Sequence, residues 1–93
     1  MRQISLDEFR EAVETLGLLS LSSRDDVRRK YLKLSKEYHP DRGGSIEQFQ
    51  KINRAYEILT HYMDSFRFLF NEDEFKRQNP ILVSLQNNSW IKG

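Results

Sequence analysis

Apolar residues recur at helical spacing along the chain as far as Met63, and each run begins with a capping signature. Ser5 followed by Glu8 fits a capping box, after which Leu6, Phe9, Val13 and Leu16 repeat at intervals of three and four until Gly17 stops the pattern. This predicts a short first helix with an acidic outer face of Asp7, Glu8, Glu11 and Glu14 against Arg10. Residues 18–22 read as a loop. Ser23 with Asp26 three places on opens a second helix over about 24–38, in which Val27, Tyr31, Leu34 and Tyr38 fall within an arc of roughly 60° when successive residues turn by about 100°. Arg29, Lys33 and Lys36 point the opposite way.

Pro40 disfavours helix at His39, and the pair Gly43-Gly44 permits tight backbone geometry, so residues 39–44 are expected to form an exposed loop. Ser45 with Gln48 repeats the capping signature and starts a third helix over about 46–62, with Phe49, Ile52, Tyr56, Leu59 and Met63 as its apolar stripe. Two helices joined by so short a loop pack antiparallel. The fold class is therefore all-α: a helical hairpin crossed by the first helix, with Tyr31 and Phe49 expected to be buried.

Beyond Asp64 the pattern changes. Phe66-Arg67-Phe68-Leu69-Phe70 alternates as an extended segment does, and Asn71 is placed to cap a brief helix near 72–78 that ends before Pro80. Residues 1–63 thus read as one helical domain and 64–93 as a C-terminal extension. Phe66, Phe68 and Phe70 are expected to cover the helices rather than to bind a ligand, and Trp90 is positioned to anchor the tail onto the domain or onto something else.

Ninety-three residues suffice for one small core and offer little room for a deep substrate cavity, which places function on the outer surface. With 38% apolar and 31% charged residues the chain is expected to fold. A net charge of +1 does not mark the whole molecule as a binder of polyanions, so any electrostatic signal is local. The absence of cysteine removes disulfides, thiolate nucleophiles and zinc–thiolate sites. No apolar stretch is long enough to span a bilayer and Met1-Arg2-Gln3 opens no signal peptide, so no membrane contact is expected and a cytoplasmic location is the default.

The second helix carries the local signal. Arg28, Arg29, Lys30, Lys33 and Lys36 follow one another without an intervening acid, which is either a solvated face or a footprint that steers an acidic partner. Asp41, a short charged side chain just after a proline, is either a turn former or an ion-pairing group aimed at a partner's arginine. His39 as metal ligand or general base finds no support, since the only other histidine, His61, lies elsewhere along the chain. No phosphate-binding glycine loop and no Ser-His-Asp arrangement points to an enzyme, and no cofactor is expected.

The stretch from Val27 to Leu59 resembles the J-domain of the DnaJ family. A basic helix ending in Tyr38, then His39-Pro40-Asp41, then a helix bearing Phe49, Ile52, Asn53, Ala55, Tyr56 and Leu59 follows the family pattern. The chain departs from it in having Ala12-Val13 in place of paired tyrosines, Lys30 in place of alanine and Arg42 in place of lysine. No Gln-Lys-Arg-Ala-like run follows the third helix, and neither a glycine- and phenylalanine-rich linker nor cysteine repeats are present. The resemblance implies a minimal J-protein or an excised J-domain that stimulates ATP hydrolysis by a DnaK-type chaperone. It places His39, Pro40 and Asp41 near the chaperone's nucleotide-binding domain and interdomain linker, with Arg28, Arg29, Lys33 and Lys36 alongside. The competing function is a small nucleic-acid-binding protein using the basic helix, which explains the cations but not the His-Pro-Asp loop.

Overall fold

The computed structural model describes residues 3–81, and all of their regular structure is helical. Helix α1 spans Leu6–Leu16, α2 Arg24–Glu37, α3 Ile46–Asp64 and α4 Glu72–Gln78, with a single 3₁₀ turn at Pro40–Arg42 between α2 and α3. The sequence-predicted all-α hairpin is therefore observed. The helix starts are chemical as well as periodic. Ser5 and Glu8 exchange reciprocal bonds with each other's backbone N–H groups, and Ser23 and Asp26 do the same at the head of α2. At α3 the Ser45 hydroxyl accepts from the N–H of Gln48.

Contacts along the hairpin fix its direction. Arg24 pairs with Asp64 at 3.0 Å, Tyr31 lies against Asn53 and Tyr56, and the His39 ring meets Phe49 at 5.1 Å. As residue numbers rise along α2 they fall along α3, so the two helices run antiparallel. Between them the Tyr31 ring stacks on Tyr56 at 4.1 Å while its hydroxyl donates to Asn53 Oδ1 at 2.8 Å, so the ring's polar end is satisfied where its body is covered.

Helix α3 is the central element and packs against both α1 and α2. Ala12 and Leu16 from α1, Val27 from α2, and Ile52, Ala55, Ile58 and Leu59 from α3 form the buried core. Leu16 and Ile52 are its most enclosed large side chains. Removing one to alanine is expected to cost about 2–5 kcal/mol, a large share of a small domain's stability. Across the top of the core Phe9 rests on Tyr62 at 4.8 Å.

Two expectations are corrected. Tyr31 and Phe49 are half-buried rather than buried. Tyr31 sits where α2 and α3 meet at the rim of the core, and Phe49 lies at the loop end of α3, beside the His39 ring. Phe66, Phe68 and Phe70 do not cover the helices: they are 49%, 69% and 96% exposed. Their rings instead follow one another from Tyr62 outward, with centroids 5.8, 5.4 and 6.4 Å apart along the series. Asn71 caps α4 as the sequence predicts, its side chain accepting from the N–H of Glu74 at 2.8 Å. The expectation for Trp90 lies outside the described residues.

Candidate functional site

The connection between α2 and α3 is a closed hydrogen-bonded turn. Tyr38 ends α2 by donating its N–H to the Leu34 carbonyl, and His39 then turns extended so that Pro40 occupies the first position of the 3₁₀ turn, where no N–H is needed. His39 becomes the hub. Its Nδ1 accepts from the N–H of Asp41 at 3.1 Å, and its carbonyl accepts from Arg42 at 2.9 Å and Gly44 at 3.1 Å. The remaining donor, Gly43 N–H, goes to the Pro40 carbonyl at 3.0 Å.

Both glycines answer a geometric demand. Gly43 has φ of 81°, a region that a side chain disfavours, and it closes the 3₁₀ turn. Gly44 passes so close to Tyr38 that a Cβ there would overlap the Tyr38 carbonyl. The chain can therefore reverse within six residues and bring Ser45 into place to cap α3.

With the N–H groups of residues 41–44 bonded within it, the turn presents the Asp41 side chain to solvent at 91% exposure. Its carboxylate lies 3.7 Å from His39 Nδ1. That nitrogen also accepts the Asp41 N–H at 3.1 Å, so the closer contact between the two residues is through the backbone. The Asp41 carboxylate thus faces outward, open to an outside group. The imidazole is held from its other side by the edge contact with Phe49.

The basic residues of α2 reach solvent along the same helix. Arg28, Arg29, Lys30, Lys33 and Lys36 are all exposed. One of them is not free: Arg29 donates to Asp26 Oδ1 at 2.6 Å, one turn earlier on the helix. Bonds from the Ser23 backbone N–H, the Arg29 guanidinium and the Ser23 hydroxyl hold the Asp26 carboxyl below its ordinary range. The basic face is therefore weighted toward Arg28, Lys30, Lys33 and Lys36, and the sequence reading of an acid-free run overlooked the partner placed just ahead of it.

Two features of the site were not anticipated. One is the capping role of His39, which was weighed as ligand or base and, by the resemblance, as a chaperone contact; a side chain able to accept, placed just before Pro-Asp, is the signal for it. The other is Phe49 as the wall that holds the imidazole. Among the described residues no group of three or more metal-ligating side chains converges, and no helix is long and apolar enough to cross a membrane.

Comparison with known proteins agrees with the geometry. The DnaJ domain pattern matches residues 12–64, which include the hairpin and the His39 turn. The chain is 37% identical over 76 residues to "Chaperone protein DnaJ" of Lysinibacillus sphaericus, covering 78% of this chain and 19% of that protein. It is 43% identical over 74 residues to the protein of that name from Staphylococcus epidermidis, covering 76% and 19% respectively, and 44% identical over 50 residues to that of Rippkaea orientalis, covering 50% and 13%. It thus spans less than a fifth of the length of these relatives. No solved structure shows a significant match. The family pattern covers more than half of the chain and carries the His-Pro-Asp turn within its matched span, so this chain belongs to the DnaJ domain family.

Proposed function

We propose that this J-domain acts as a co-chaperone, engaging a DnaK-type chaperone and stimulating its ATP hydrolysis so that a client is captured. The domain performs no chemistry of its own. His39, Pro40 and Asp41 form the activating tip, which meets the nucleotide-binding domain near the interdomain linker, and Arg28, Arg29, Lys33 and Lys36 supply the flanking electrostatic contact. The observation that carries this reading is the presentation of Asp41: a turn in which residues 41–44 all donate their N–H groups inward, while the Asp41 carboxylate is 91% exposed. Nothing in the core calls for a charge at that place, whereas a charge-assisted bond to a partner does.

The exposed cations of α2 fit the same partner, because complementary charge raises the rate of encounter more than it deepens the final complex. An aspartate at the tip and cations along the helix together recognise a surface with an arginine beside a field of carboxylates. Nucleic acid would answer the cations and be repelled by Asp41. The reading is tested by single-turnover ATP hydrolysis in a panel of DnaK-type chaperones with and without the domain. Acceleration of at least one is expected, and the absence of acceleration throughout the panel would refute the proposal.

A further inference from the structure

A second surface lies at the opposite end of α2 from the His39 turn. Leu18, Leu19, Leu21 and Ser22 of the α1–α2 loop line one side of an open groove of ≈ 400 Å³, and Asp26, Arg29, Lys30 and Lys33 of α2 form its wall. Leu19 and Leu21 are 80% and 84% exposed, more than any other leucine of the described residues. The backbone that carries them is held in place. The Leu18 N–H donates to the Val13 carbonyl at 3.1 Å, the Ser22 hydroxyl donates to the Leu19 carbonyl at 2.9 Å, and the reciprocal Ser23–Asp26 bonds fix the far end of the loop. A loop whose backbone is already fixed loses less freedom when a ligand covers it.

The charge of the wall selects the ligand. Asp26 engages Arg29, whereas Lys30 and Lys33 have no carboxylate within ion-pairing distance among the described residues. Two leucines beside two uncompensated ammonium groups complement a segment that alternates apolar and acidic side chains. The groove volume suits a few side chains rather than a folded surface. We propose that this groove binds an acidic amphipathic peptide segment of a partner protein, with its apolar side chains on Leu19 and Leu21 and its carboxylates on Lys30 and Lys33. The groove excludes the His39 turn but shares Arg29 and Lys33 with the electrostatic contact proposed above, and its occupant need not be the chaperone that the turn engages.

The test uses a fluorescein-labelled dodecapeptide repeating Glu-Leu-Asp-Leu, titrated against the full chain and followed by anisotropy. Saturable binding is expected, and the double substitution Leu19→Ser with Leu21→Ser is expected to weaken it about tenfold or more while leaving the melting temperature unchanged, since both leucines are already exposed. Lys30→Glu weakens it as well, as does replacing the peptide's carboxylates by amides. Unchanged binding by the double leucine variant, or equal binding of the amide peptide, would overturn the proposal. So would binding confined to phosphatidylglycerol vesicles with none to the peptide, which would make the surface a lipid contact. Asp41→Asn is expected to retain peptide binding, and a wild-type domain that binds the peptide yet accelerates no chaperone counts against the co-chaperone reading alone.

Discussion

Replacing His39 by alanine removes the hub of the α2–α3 turn, and the size of the effect follows from what the imidazole touches. It accepts the Asp41 N–H at 3.1 Å and sets its ring edge against Phe49 at 5.1 Å. Loss of a capping acceptor typically costs about 1 kcal/mol, and an aromatic pair contributes about 0.5–1.5 kcal/mol. Because the side chain is 45% exposed, the lower part of each range applies, for a total of about 1–1.5 kcal/mol. In a domain of this size that corresponds to a fall in melting temperature of about 5–10 °C. Thermal unfolding followed by circular dichroism measures it, with Asp41→Asn as the comparison, because asparagine keeps the backbone N–H that His39 accepts. His39→Ala is expected to lose both stability and chaperone stimulation. An unchanged melting temperature in His39→Ala would refute the claim that the imidazole holds the turn.

Gly44→Ala is expected to destabilise by about 2 kcal/mol or more, because a Cβ there overlaps the Tyr38 carbonyl and the turn must open; denaturant midpoints measure it, and a shift of a few tenths would contradict it. Phe68→Ser together with Phe70→Ser is expected to leave the melting temperature within about 2 °C of wild type, since these rings are 69% and 96% exposed; a large drop would mean that they cover the core after all. The Asp26 carboxyl is held below its ordinary range, first by the Ser23 N–H and then by Arg29, so its stabilisation is complete above the ordinary carboxylate range and is lost as pH falls through the lowered value. Asp26→Ala is therefore expected to lower the melting temperature at neutral pH and to match wild type in strong acid; an equal deficit at both would contradict the assignment.

The parts of the fold that were legible in the sequence are those set by neighbours three or four residues apart. Ser5–Glu8, Ser23–Asp26 and Asn71–Glu74 each act within one helical turn, so they announce their helices without reference to the rest of the molecule. The stripes of α1, α2 and α3 likewise told which faces meet. The burial of Phe49 was misjudged because periodicity gives the direction of a side chain and not how far the opposing helix extends; at the loop end of α3 it lies beside the His39 ring. Phe66, Phe68 and Phe70 were misjudged for a related reason. Alternation describes the backbone and leaves open whether a surface lies beneath it, and beyond Tyr62 their rings find chiefly one another. At the site, Asp41 was legible from its frame, whereas the hydrogen-bonding role of His39 depends on a turn geometry that residue types alone do not specify.

The central claim rests on a carboxylate that the fold does not need. Asp41→Asn preserves size, turn preference and the N–H to His39, and removes only the charge. Loss of one partner from a desolvated charged pair commonly costs about 2–5 kcal/mol, a factor of roughly thirty or more in binding or activation. The decisive measurement is single-turnover ATP hydrolysis by a DnaK-type chaperone that the wild-type domain accelerates, with both proteins at matched helical content and melting temperature. The account predicts that Asp41→Asn retains the fold and loses the acceleration; an Asp41→Asn domain that stimulates as well as wild type would contradict it.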